Sequence, residues 1–201
     1  MRSSDSDLIF VPGQGGSGQE HWQTRWEQKL VTARRVHQID WERPNKELWV
    51  ESIIAAINEA AKPAIIIAHS MGVLASVAAI QQLDIQNTKN TKLANKLANK
   101  LANKLAGAFL VAPAGKAYII STDTVDHAFA DISHAPLPVP STLVASHNDP
   151  FCPFLDAEEM AFAWGSAFVD AGESGHLNVE SGHGPWPEGL MQFAGFMSKI
   201  V

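Results

Sequence analysis

Residues 64 to 72 read Ala64-Ile65-Ile66-Ile67-Ala68-His69-Ser70-Met71-Gly72, an apolar run of strand type that passes through one serine into a segment opening with small residues. This is a nucleophile-elbow pattern, usually written G-x-S-x-G, with Ala68 standing at the first glycine position. The turn demands small size rather than glycine itself. The residues two before and two after the serine must let strand and helix approach, and alanine meets that demand. Such a turn would lift the Ser70 hydroxyl above the sheet edge. It would also set the Met71 amide at a helix N-terminus, where it could donate to a developing oxyanion. The plain alternative is a buried turn serine. Ser17, Ser174 and Ser181 lie in glycine-rich loops without such flanks and read as turn serines.

Outward from the elbow, short apolar runs alternate with stretches of helical period, the pattern of a parallel sheet covered by helices on both faces. Strands are predicted at 7–11, 35–40, 64–68, 107–112, 141–146 and 167–170, several of them apolar throughout, as strands buried on both faces should be. Helices are predicted at 19–33, 45–61, 71–83, 156–164 and 187–200. Trp22, Trp26 and Leu30 form one stripe, and Trp49, Ile53 and Ile57 another, with Asn45 as N-cap. The helix from Met71 is apolar nearly all round and belongs deeper in the molecule. The fold class is therefore α/β, one domain over 1–201, with a mainly parallel sheet of about six strands.

One segment stands apart, a low-complexity insert at 88–106 in which Leu-Ala-Asn-Lys recurs from Leu93 through Lys104. A four-residue period on an α-helix drifts by about 40° per repeat, so its leucines wrap around instead of facing one core. It reads as a solvated helical extension before the strand at Gly107. The long connection 113–140, rich in proline, reads as a pocket wall.

The composition narrows the function. With 15 Lys+Arg against 21 Asp+Glu the net charge is −6, and no clustered basic residues favour a nucleic-acid partner. No apolar run approaches the roughly 18 residues of a membrane span, and the polar start lacks the apolar stretch of a signal peptide. The single cysteine, Cys152, cannot form an intramolecular disulfide, which suits a reducing cytoplasm.

A serine hydroxyl needs a base, and the base needs an orienting acid. In this architecture the acid follows a later strand and the histidine comes in a loop nearer the C-terminus. Asp149 lies just beyond the strand that reaches Ser146. His176 lies in the loop Ala171-Gly172-Glu173-Ser174-Gly175-His176 after the last strand. Both would then share the carboxyl edge of the sheet with Ser70. Asp170 and Glu173 are rival acids, the first tied to a strand end and the second too close to His176. The plain readings are a turn aspartate before Pro150 and a surface loop histidine. A second oxyanion donor is expected from the backbone amide of Gln14, in the loop Pro12-Gly13-Gln14-Gly15-Gly16-Ser17-Gly18.

That same loop carries a competing pattern, because Gly13, Gly15 and Gly18 match a dinucleotide-binding G-x-G-x-x-G between a strand and a helix, with Asp40 ending the next strand. An NAD(P)-binding protein would leave Ser70, Asp149 and His176 unexplained. No metal site is expected, since eight histidines are present without a ligand-type spacing. Cys152 lacks a neighbouring base and reads as a bystander. Trp186 either lines the pocket or packs under the last helix.

Taken together, Val11-Pro12-Gly13-Gln14-Gly15-Gly16-Ser17-Gly18 with His21-Trp22, Asp40-Trp41, Ala68-His69-Ser70-Met71-Gly72, Ala145-Ser146-His147-Asn148-Asp149-Pro150 and Gly175-His176-Leu177-Asn178 with Trp186-Pro187-Glu188-Gly189 resemble one family. It is the small serine-hydrolase family of the α/β-hydrolases that includes YdeN-like and retinoblastoma-binding serine hydrolases. The resemblance spans nearly the whole chain and departs only at the Leu-Ala-Asn-Lys insert. It implies a compact hydrolase core without a large cap domain, with Ser70, Asp149 and His176 matching nucleophile, acid and base. The expectation is a carboxylesterase-like enzyme that cleaves a small-molecule ester, or an amide, without cofactor. A non-catalytic scaffold on the same fold is the alternative from another class. Oligomeric state is not readable.

Overall fold

The computed structural model describes residues 3–88 and 104–200. Strands β1 (Asp7–Val11), β2 (Ala33–Arg35), β3 (Ala64–Ser70), β4 (Leu105–Pro113), β5 (Ser141–Ala145) and β6 (Ala167–Asp170) pair in the order β2-β1-β3-β4-β5-β6. Every pairing is parallel. Parallel neighbours require crossovers, and the helices α1 (Trp22–Glu27), α2 (Lys46–Glu59), α3 (Met71–Thr88), α4 (Lys116–Ser121), α5 (Phe154–Trp164) and α6 (Pro187–Lys199) cover the sheet.

The pleat of the central strands divides two apolar cores. Ile9, Val11, Ile66, Ala68, Leu110 and Leu143 join the layer made with α2, α3 and α5, where Trp49, Ile53, Ile57, Leu74 and Trp164 are buried. The alternate residues Leu8, Phe10, Ile65, Ile67, Phe109 and Val144 join the opposite layer, with Trp22 and Trp26 of α1 and Phe193, Phe196 and Met197 of α6. Both faces of these strands are thus apolar, which is why the runs read as continuous and not alternating. α2 begins where its sequence predicts, the Asn45 side chain accepting the Leu48 N–H at 3.1 Å.

Several predicted boundaries move, most by a residue or two, and three of the changes bear on the site or the insert. The first helix is confined to Trp22–Glu27, because Ala33, Arg34 and Arg35 are taken into β2 opposite Leu8, Ile9 and Phe10. The strand predicted at 35–40 therefore lies earlier, and Val36 only extends it by donating its N–H to Phe10 O at 2.9 Å. Arg35 tolerates this place because its guanidinium donates to the carbonyls of Gly16 and Ser17, to Thr24 Oγ1 and to Glu27. β4 starts at Leu105, so the last two residues assigned to the insert are already strand. The helical extension predicted between Thr88 and Lys104 lies outside the described residues. The connection 113–140 holds α4 and a short 3-10 turn, and it contributes Tyr118 to the cleft described below.

Strand order reverses direction between β1 and β3, so the loop leaving β1 and the end of β3 part from each other at the carboxyl edge of the sheet. That is the place where open parallel sheets present a crevice. No described helix is long and apolar enough to cross a membrane.

Candidate active site

Ser70 ends β3 and Met71 opens α3, with no residue between strand and helix. Ser70 has φ 57°, a left-handed backbone uncommon for a residue with a side chain. Such a conformation costs about 1–3 kcal/mol and persists only where the surroundings over-determine it. Two glycines supply that constraint. A Cβ at Gly72 would lie 2.3 Å from Val11 O and 2.5 Å from Pro12 O, and one at Gly13 would lie 2.6 Å from Ser70 Cβ. Neither position can carry a side chain, whereas the methyl of Ala68 sits fully buried.

The loops that follow β5 and β6 are laced together. His147 N–H donates to Gly172 O at 2.8 Å, Ser174 N–H to Ser146 Oγ at 2.8 Å and Gly175 N–H to Asn148 Oδ1 at 2.6 Å. This lacing brings Asp149 and His176 together across 27 residues of chain. His176 Nδ1 lies 2.8 Å from Asp149 Oδ2 and 3.0 Å from Oδ1, with the side chains only 6% and 3% exposed. A carboxylate only accepts, so the Nδ1 carries the proton and Nε2 is left as the basic nitrogen. Asp149 is itself fixed by the Phe151 N–H, which donates to Oδ1 at 2.9 Å. The edge of the Phe151 ring packs on the imidazole.

Ser70 and His176 line one cleft of about 390 Å³, together with Gln14, His21, His69, Tyr118, Phe151 and Asn178. Ser70 Oγ has no hydrogen-bond partner among the described residues. Gln14 also lines the cleft, and its side chain is fully engaged. Its Nε2 donates to Glu42 O at 2.8 Å and Thr124 Oγ1 at 2.9 Å, and its Oε1 accepts from Tyr118 OH at 2.9 Å. The Gln14 backbone N–H meets no acceptor among the described residues. The Met71 N–H is in the first turn of α3, where no intrahelical acceptor exists. Met71 thus follows Ser70 directly, and Gln14 lines the same cleft from the loop after β1.

The rival acids lie elsewhere. Asp170 pairs with His147 Nε2 at 2.9 Å, but both side chains are about half exposed and neither lines the cleft that holds Ser70. That hydrogen bond, then the Gly172 N–H, hold the Asp170 carboxyl below its ordinary range. Glu173 is exposed. The dinucleotide reading needs Asp40 at the end of the second strand, but β2 ends at Arg35, and Asp40 Oδ1 accepts the N–H groups of Glu42 at 2.8 Å and Arg43 at 3.1 Å in a local turn. Of its three glycines, Gly13 serves another end, close packing against Ser70, while a Cβ at Gly15 or Gly18 would meet nothing within 4 Å.

Burial, then the nearby charges of Asp149 and Asp156, pushes the Cys152 thiol up to about 12, far from a reactive thiolate. Trp186 is buried against Trp22 and Trp26 beneath α6 and is not part of the cleft lining. Among the described residues no three His, Cys, Asp or Glu side chains form a metal-holding group.

Sequence reasoning did not single out His69, Ser146 and Asn148 as parts of the site. His69 precedes Ser70, and its Nε2 lies 2.9 Å from His176 O. Ser146 and Asn148 flank the Asp149 turn and hold the His176 loop. Their adjacency to Ser70 and Asp149 was the only available signal.

A serine hydrolase family model matches residues 8–195. Among solved structures, a putative YdeN-like hydrolase from Pectobacterium atrosepticum is 34% identical, with 99% of this chain and 94% of that one covered and a TM-score of 0.79. The ydeN gene product of Bacillus subtilis shares 17% identity over 96% of this chain and 100% of that one, with a TM-score of 0.72. Esterase 2 of Thermogutta terrifontis, at 14% identity, covers 100% of this chain and 86% of its own with a TM-score of 0.66, a likeness of fold. Among curated proteins no sequence matches.

Proposed function

The chain belongs to the serine hydrolase family, and on that premise we propose that it cleaves a small carboxylic ester, with an amide as the harder alternative, through an acyl-enzyme on Ser70. The observation that carries this reading is the buried Asp149–His176 pair at 2.8 Å, whose histidine lines the same cleft as a serine held at φ 57°.

Ser70 Oγ attacks the substrate carbonyl carbon while His176 Nε2 takes the hydroxyl proton. Asp149 keeps the other ring nitrogen protonated and stabilises the imidazolium that forms. The carbonyl oxygen gains a negative charge, and in this reading the amides of Gln14 and Met71 receive it. Collapse of the tetrahedral intermediate breaks the bond to the alcohol, and the alcohol oxygen takes the proton from His176. Water then attacks the acyl-enzyme by the same proton route, releasing the acid and restoring Ser70. Protein groups and water suffice for each step. A cleft of about 390 Å³ is on the scale of a small-molecule site. A reducing cytoplasm is the compartment we assign, in keeping with one buried, unpaired cysteine.

A fluorophosphonate probe should label the protein, and Ser70→Ala should abolish both labelling and p-nitrophenyl acetate turnover while leaving the circular dichroism spectrum unchanged. Equal labelling and equal turnover in both proteins would reject the assignment and favour a scaffold.

A further inference from the structure

We infer that His69 is a positioning residue for His176, setting the base relative to the nucleophile through a buried hydrogen bond to its backbone. The inference rests on the hydrolytic reading above. His69 Nε2 lies 2.9 Å from the carbonyl oxygen of His176, 107 residues away in the chain. A carbonyl can only accept, so the ring proton is on Nε2 and the bond is N–H to O=C. The ring is also neutral. Burial first, then the proximity of His176 and His21, takes its pKa well below the ordinary histidine value.

The next carbonyl is held in the same way. Trp22 Nε1–H donates to Leu177 O at 2.9 Å, and Leu177 is fully buried with φ 50°. Two consecutive peptide carbonyls, at His176 and just after it, are thus gripped by buried donors from β3 and α1. Asp149 controls the tautomer of the imidazole and how its ring turns. It does not tie the backbone of His176 to β3. His69 does, and it is the residue bonded directly to Ser70. The His69 ring also packs on the imidazole, with centroids 4.8 Å apart.

His69→Gln should separate this role from mere packing, because the glutamine Nε2 can occupy the place of the histidine Nε2 and still donate. His69→Phe keeps the ring volume and removes the donor. If the phenylalanine does not fold, His69→Asn removes the donor's reach without overfilling the site. With p-nitrophenyl acetate, His69→Phe or His69→Asn should lower kcat by about 30-fold or more with KM within about twofold, as expected of a sub-ångström displacement of a catalytic group. His69→Gln should recover kcat to within about threefold of the parent. The low-field proton resonance of the His176 Nδ1–H should move or broaden in the first two variants and stay in His69→Gln.

A donor-free variant with parental kcat would overturn the inference. So would equal losses in His69→Phe and His69→Gln with the Nδ1–H resonance unmoved. If turnover persisted in Ser70→Ala, the hydrolytic reading would fail instead, and the resonance would still report whether His69 holds His176.

Discussion

His21 caps α1, its Nδ1 accepting the Gln23 N–H at 3.2 Å, and it is buried beside His69. Desolvation, then the charges of Arg35 and His176, lowers its pKa from 6.5 to about 3. The sign for stability follows from linkage. Between about pH 6.5 and pH 3 the unfolded chain binds a proton at this position that the folded protein refuses. Stability is therefore full above that window and falls as pH drops through it, by about 1.4 kcal/mol per pH unit for each such histidine. His69 is shifted in the same direction. His21→Asn keeps an N-cap acceptor and removes the titrating group. Unfolding free energies from urea titrations at several pH values should show a shallower slope below pH 6.5 in this variant than in the parent. An unchanged slope would mean that His21 is not the group linked to the proton uptake.

The strand-to-helix junction of β3 and α3 makes opposite demands at its two small positions. At Gly72 a methyl would meet the backbone oxygens of Val11 and Pro12 at 2.3 and 2.5 Å, atoms that cannot swing aside as a side-chain tip can. Gly72→Ala should therefore cost about 3 kcal/mol or fail to fold, the outcome of overpacking against rigid backbone, and should lose probe labelling with it. Ala68→Gly should cost only about 0.5–1 kcal/mol, the entropy of a strand glycine, and keep its labelling. Chemical denaturation of the two variants checks the ranking, and the reverse order would show that the constraint sits before the serine. The same junction shows what could be read from residue types alone. β1, β3 and β4 announce themselves because burial on both faces leaves long apolar runs, and Ser70, Asp149 and His176 could be set at the sheet's carboxyl edge because each ends or follows a strand. β2 could not, because an edge strand built from Ala33, Arg34 and Arg35 is held by guanidinium hydrogen bonds that leave no hydropathy signal. The His69 bond escaped for a related reason: a buried neutral histidine looks like core until the backbone it reaches, 107 residues on, is seen.

Across the whole molecule the sheet has a working edge and a joining edge. Ser70, Asp149 and His176 lie at or beyond the carboxyl ends of β3, β5 and β6. The chain re-enters the described fold at the opposite edge, where Leu105 begins β4 beside Ala64, the first residue of β3. Lys104 anchors that re-entry, its Nζ donating to Asn58 O at 3.2 Å and Ala60 O at 2.7 Å at the end of α2. The repeat therefore joins the fold a full strand length away from the cleft. Deleting one copy, residues 97–100, removes four residues and retains Lys104. In that variant kcat/KM for p-nitrophenyl acetate should stay within about twofold of the parent, since every described residue given a role in the proposed mechanism is retained. The thermal midpoint should shift by only a few degrees, because a change confined to a connection alters little more than its closure entropy. A tenfold fall in kcat/KM, with the midpoint unchanged, would instead place part of the repeat at the cleft and make its length a determinant of the chemistry.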